Sequence, residues 1–202
     1  KAAEQGMQLS QCNVGWCYQY GEGVEENLPL AFEWYVKASK NGSVTAMNNV
    51  GICFRDAIGT EQDYQKAVHW FSKAAAGGNA SAQCSLGYAY ESGQGVAVNM
   101  EEAVRWYKKA AEQGLPRGIA YLGECYENGQ GGLPQDFGKA VELYRKAIED
   151  EQAWAMLCLG RCYEMGRGVA ADQSMAVYFY RRSANNGVSA AKDALKRLGY
   201  NE

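Results

Sequence analysis

The sequence holds one histidine, three prolines, no excess of positive charge and no long apolar run. Each scarcity excludes something. A Ser/His/Asp or Cys/His catalytic set needs a histidine beside its partners, and His69 stands without a clustered partner. Metal binding by Cys/His spacing is equally unsupported, so neither a metal nor another cofactor is expected. The net charge is −3 and the pI near 5.4, so no positive field exists to hold nucleic acid or an anionic membrane. No apolar stretch approaches the roughly 18–20 residues that cross a bilayer, and no membrane insertion is expected. No signal-peptide pattern is visible.

What is present is ordinary in amount and unusual in order. Of the 202 residues, 47% are apolar and 21% charged, as in a soluble globular protein that can bury a core. Aligning each Gly-x-x-Tyr/Phe stretch brings Gly15, Gly51, Gly87, Gly123 and Gly160 into one column, at intervals of 36, 36, 36 and 37 residues. A period held across the chain is the signature of a repeat architecture. Five repeats follow: 7–42, 43–78, 79–114, 115–151 and 152–187, the fourth lengthened in its Gly131-Gly132-Leu133-Pro134 loop.

Each repeat predicts two helices. The first ends near Gly21, Ala57, Gly93, Gly129 and Gly166. After a glycine loop come Asn27, Asp63, Asn99, Asp136 and Asp172, side chains suited to accept from the open N–H groups of a second helix. That helix carries Ala31, Ala67, Ala103, Ala140 and Ala176, then the large pairs Trp34-Tyr35, Trp70-Phe71, Trp106-Tyr107, Leu143-Tyr144 and Phe179-Tyr180. Small against large at helical spacing lets helices interdigitate. Gly42, Gly78, Gly114 and Gly187 are expected as left-handed closing residues. Glu151 takes that place in the fourth repeat, whose junction is therefore expected to turn differently.

The pattern Leu86-Gly87-Tyr88-Ala89-Tyr90, Gly93-Gln94-Gly95-Val96, then Ala103 to Trp106-Tyr107 and Lys109 to Gly114 resembles the Sel1-like repeat family, a relative of the tetratricopeptide repeat. The resemblance covers residues 7–187. It implies an all-α fold, a right-handed α/α solenoid with first helices lining the concave side. Residues 1–6 copy Lys109–Gly114 and are read as the end of a further repeat upstream, whereas 188–202 are read as a capping helix. The family implies a protein-binding scaffold or adaptor and no enzyme. An architectural spacer is the alternative. A weak lactam-binding or lactam-hydrolysing activity, described for a cysteine-rich branch, is a remote one.

Several features dissolve into architecture. Cys17, Cys53, Cys125 and Cys162 share one core column, with Ala89 in the third repeat, and Cys12, Cys84 and Cys158 also fall on first helices. Adjacent first helices lie about 9–10 Å apart, beyond the roughly 7 Å Cα reach of a disulfide. The cysteine-rich branch pairs its two helices by disulfides, and no second helix here has a cysteine. Reduced thiols and a cytoplasmic location are expected. The Gly-x-Gly loops follow helices, so they are turns and not phosphate cradles. Ser189-Ala190-Ala191-Lys192 matches a serine–lysine motif but stands alone. Lys37, Lys73, Lys109, Lys146 and Arg182 suit the helix dipole in last turns.

The candidate site is a concave groove on the first helices. The column after the recurrent glycine holds Trp16, Ile52, Tyr88, Glu124 and Arg161; three residues later come Gln19, Arg55, Glu91, Glu127 and Glu164, with Asn48 in an earlier column. The expected partner is a peptide or protein segment with an apolar part on Trp16, Ile52 and Tyr88 and a basic part on Glu124, Glu127 and Glu164.

Overall fold

The computed structural model describes residues 2–200, with side chains from Ser10 onward. Eleven helices and no strand occur among the described residues. The chain divides into two compact units, Lys1–Asn99 and Met100–Glu202. The first holds α1 (Ala2–Tyr20), α2 (Leu28–Lys40), α3 (Val44–Asp56), α4 (Tyr64–Ala76) and α5 (Ala80–Ser92). The second holds α6 (Met100–Glu112), α7 (Pro116–Asn128), α8 (Phe137–Ile148), α9 (Ala153–Met165), α10 (Gln173–Asn185) and α11 (Ser189–Arg197). Within each unit, successive helices pack as a chain of hairpins: α1 on α2 and α3 on α4, then α7 on α8 and α9 on α10.

Helix starts follow side-chain chemistry. The Asn27, Asp63, Asp136 and Asp172 carboxylate or amide oxygens accept from the N–H groups of Leu30, Lys66, Lys139 and Met175 at 2.8–3.0 Å. Such a bond satisfies a donor that the first turn would leave open. The last helix, α11, buries only Ala191 and Leu195, as a polar terminal helix should. α1 runs on through Gly6, where the repeat register sets a turn.

The fourth junction corrects an expectation. Glu151 does not turn differently: it adopts φ +55°, close to the +79° to +89° of Gly42, Gly78, Gly114 and Gly187. Its N–H bonds Ile148 O and that of Gln152 bonds Ala147 O, as Gly114 and Leu115 bond Ala111 and Ala110. The packing of α9 beside α8 imposes the turn, although a side chain at positive φ costs about 1–2 kcal/mol. Ala57 bears the same strain at the end of α3, with φ +58°.

The core is small against aromatic. Ala31, Ala67, Ala140 and Ala176 are buried, and so are Tyr35, Phe71, Tyr107, Tyr144 and Tyr180. The recurrent glycine exists for these rings. A Cβ on Gly15, Gly51, Gly123 or Gly160 would stand only 2.6–2.8 Å from a ring carbon of Tyr35, Phe71, Tyr144 or Tyr180. Glycine therefore lets the second helix lay its ring flat on the first, burying on the order of 150–250 Å² per aromatic.

Candidate functional site

The ring above each glycine decides the residue one turn later. Tyr35 Oη donates to Gln19 Oε1 at 2.9 Å, Tyr144 Oη to Glu127 Oε2 at 2.7 Å and Tyr180 Oη to Glu164 Oε2 at 2.6 Å. In the second repeat the ring is Phe71, without a hydroxyl, and Arg55 lies over its face at 5.8 Å instead. An acceptor stands where the ring has a donor, and a cation stands where it has only a π face. Burial pushes the Tyr35, Tyr144 and Tyr180 phenols up, so all three remain donors.

This changes the meaning of the acidic column. Glu127 was expected to line a groove, but it is 4% exposed, and Arg161 and Arg167 flank its carboxylate at 3.6 and 3.5 Å. Glu164 takes a fork of two bonds, 2.6 and 2.8 Å, from Arg197. That fork, then the Tyr180 hydroxyl, holds the Glu164 carboxyl below its usual range. Glu124 accepts from Trp154 Nε1 at 3.2 Å. These carboxylates are neutralised or hydrogen-bonded inside the second unit. Asn48 is likewise buried, at 6% exposure, and its Oδ1 has no partner.

Between one first helix and the next, above the buried ring, the repeat leaves a hollow. In the first repeat it measures about 240 Å³ and is lined by Trp16, Gln19, Tyr20, Tyr35, Asn49 and Ile52. In the second repeat the same register holds Arg55, Phe71, Ser85 and Tyr88, and about 10 Å³ remains, room for one water. In the fifth repeat it opens to about 340 Å³ among Trp154, Leu157, Arg161, Met165, Tyr180, Ala190, Asp193, Ala194 and Arg197. Of the sequence-predicted residues, Trp16, Gln19 and Ile52 therefore meet in one hollow, Arg55 and Tyr88 in another, and Arg161 lies in the third. Glu91 is half-buried on α5.

Sequence reasoning missed Tyr20, Asn49, Met165 and Arg197. Tyr20 is 58% exposed with its ring 5.1 Å from that of Trp16, which is 44% exposed. The i, i+4 spacing of two aromatics on α1 was the available signal.

Other features are structural. Lys37, Lys73 and Lys109 lie over Trp34, Trp70 and Trp106 at 4.7, 4.9 and 4.3 Å. His69 is exposed and meets Trp70 edge-on at 5.9 Å. All seven cysteines are free, and burial raises the Cys53, Cys158 and Cys162 thiols to about 12. Ser189 and Lys192 are both exposed on α11, whereas a lysine base needs desolvation. No cluster of three metal-ligating side chains, and no helix long and apolar enough to cross a membrane, occurs among the described residues.

A Sel1 repeat model matches residues 8–43, 44–79, 80–115, 116–151 and 155–188. No curated protein matches the sequence. Among solved structures, a Sel1 repeat protein from Oxalobacter formigenes is similar at 35% identity and a TM-score of 0.85, over 93% of this chain and 74% of that one. A protective antigen of uropathogenic Escherichia coli with an SLR fold is similar at 34% identity and a TM-score of 0.77. That alignment takes in 98% of this chain, which spans 42% of the antigen's length. An immunity protein from Pseudomonas aeruginosa, 21% identical with a TM-score of 0.62 over 92% of this chain and 68% of that one, shares the fold alone. Five matched repeats, an all-helical chain and relatives above 30% identity agree: this protein belongs to the Sel1 repeat family, whose fold is an α/α solenoid.

Proposed function

We propose that this chain is an adaptor that binds an extended segment of a protein partner across its first helices, with the first-repeat hollow as the principal anchor. Sel1 repeat proteins generally act as protein–protein interaction scaffolds, and the fold is typically non-enzymatic. The observation that supports this reading is the hollow of about 240 Å³ walled by Trp16 and Tyr20, both exposed, over the buried Tyr35. Exposed aromatic walls beside a preformed depression are what an incoming side chain can bury against. Trp16 and Ile52 supply apolar contact, Gln19 is held by Tyr35, and Asn49, whose amide N–H donates to Cys12 Sγ at 3.6 Å, keeps its amide oxygen for a passing backbone. Tyr88, next along the same first-helix column, extends the surface on α5.

Selection of displayed random peptides on the wild type, followed by titration against Trp16→Ala/Tyr20→Ala, tests the proposal. Circular dichroism establishes that the variant is folded. Enriched peptides should bind the variant at least about tenfold more weakly, the loss of one central anchor. Equal binding would place the site elsewhere. Failure to enrich any peptide would favour a purely architectural role.

A further inference from the structure

Three tryptophans on second helices carry a cation of their own: Lys37, Lys73 and Lys109 sit 4.3–4.9 Å from the rings of Trp34, Trp70 and Trp106. Trp16 differs. The residue three positions on is Gln19, whose oxygen is engaged by the Tyr35 hydroxyl. Among the described residues no lysine or arginine lies over Trp16 or Tyr20. The six residues lining the hollow carry no charge.

The charge around it is of one sign. α1 ends at Tyr20 and the next loop carries Glu22, Glu25 and Glu26, all exposed and with no ion pair among the described residues. This loop is fixed to the last turn of α1, because Glu22 N–H bonds Cys17 O at 3.0 Å and Asn27 N–H bonds Tyr18 O at 2.8 Å. Glu26 folds back against Gly21. The unit as a whole is acidic, with six Lys and Arg against nine Asp and Glu, whereas residues 100–202 are balanced at 14 each.

From this we infer that the first-repeat hollow takes a lysine or arginine side chain from a basic partner segment that also carries apolar residues. The inference rests on the reading above that this hollow anchors a partner. The cation lies over the indole of Trp16 and the phenol of Tyr20, whose faces attract positive charge. Its aliphatic stem covers Ile52 and the edge of Tyr35, as long basic side chains do on apolar surface. Neighbouring cations of the segment meet Glu22, Glu25 and Glu26, which steer its approach. Recognition of a basic segment thus falls to the first unit and not to Glu124, Glu127 and Glu164, whose charges the second unit uses itself.

The test uses three capped peptides of equal length that alternate leucine with lysine, with glutamine or with glutamate, titrated by calorimetry and by the Trp16 indole N–H resonance. The lysine peptide should bind about fivefold or more tightly than the glutamine peptide. That advantage should shrink between about 0.05 M and about 0.5 M salt. Trp16→Leu, which keeps apolar surface but removes the π face, should bring the lysine peptide to the level of the glutamine peptide. Glu22→Gln/Glu25→Gln/Glu26→Gln, on an exposed loop, should remove most of the salt dependence. Equal binding of lysine and glutamine peptides through Trp16 would overturn the cation preference and leave the anchoring role standing. Preference for the glutamate peptide would overturn it as well. No binding by any of the three, or binding that ignores Trp16, would overturn both readings.

Discussion

The hollows of the first and fifth repeats occupy the same register of the fold and differ in nearly every wall. Both lie above a buried tyrosine whose hydroxyl is taken by the first helix. Where the first repeat has Trp16, Gln19, Tyr20, Asn49 and Ile52, the fifth has Arg161, Glu164, Met165, Ala194 and Arg197. In the first repeat the walls are aromatic and neutral. In the fifth they mix apolar Trp154, Leu157, Met165 and Ala194 with Asp193 and two arginines, Arg197 paired with Glu164 and Arg161 beside Glu127. One backbone geometry thus supports an uncharged aromatic hollow and a larger one whose arginines already have carboxylate partners. The second repeat is the closed case, where a single side chain, Arg55, fills the space over Phe71.

The sharpest way to break this comparison is to remove the acceptor under each ring. Glu127→Ala should cost about 2–3 kcal/mol, because it strands a buried tyrosine hydroxyl and takes the carboxylate from two partly exposed arginines. Gln19→Ala at the equivalent place should cost only about 1 kcal/mol, the loss of one neutral hydrogen bond. Urea unfolding measures both, and equal losses would mean that the second unit's charges contribute nothing beyond the hydrogen bond. Next in size, Gly51→Ala and Gly160→Ala should each destabilise by about 1–3 kcal/mol, since the added Cβ stands 2.6 Å from the Phe71 or Tyr180 ring. Phe71→Leu in the Gly51→Ala background should recover part of the first loss; no recovery would mean that the glycine serves something other than the ring.

Smaller effects should run the other way. Glu151→Gly and Ala57→Gly each relieve a side chain held at positive φ, and each should raise stability by about 1 kcal/mol. A loss of thermal stability in either would show that the side chain has contacts worth more than the strain. The smallest effect is acidic. The Glu164 carboxyl is held below its ordinary 4.5 by Arg197. Its contribution is therefore fully present above pH 4.5 and is lost as pH falls through the depressed folded value. The stability gap between wild type and Glu164→Gln should be flat from neutrality down to about that pH and close below it. A gap unchanged through the acid range would show that the ion pair contributes nothing through charge.

Much of the fold was legible because its causes are local or periodic. The Asn and Asp caps, the glycine ends of the first helices and the alternation of alanine with aromatics each depend on a few residues in one stretch. Glu151 was misread for the same reason. A local rule disfavours a left-handed glutamate, and only the packing of the next helix overrides it. The candidate site was half legible. Trp16, Gln19 and Ile52 do meet, and the exposed Tyr20 beside them followed from helical spacing had it been sought. Glu127 and Asn48 were placed on a free surface and are buried. Periodicity identifies a helical face, but it does not tell which polar residue on that face ends beneath a ring.

The sequence alone determined the repeat, its helices and their caps, because those follow from periodicity, short-range sterics and local hydrogen bonding. Tertiary structure decided which hollows stay open. That outcome depends on whether a long side chain lies over a ring brought near by a neighbouring helix, as Arg55 does, or is drawn to a carboxylate and leaves the hollow open, as Arg161 is. Such partners stand 16 to 34 residues apart in the chain and become neighbours only when the helices pack.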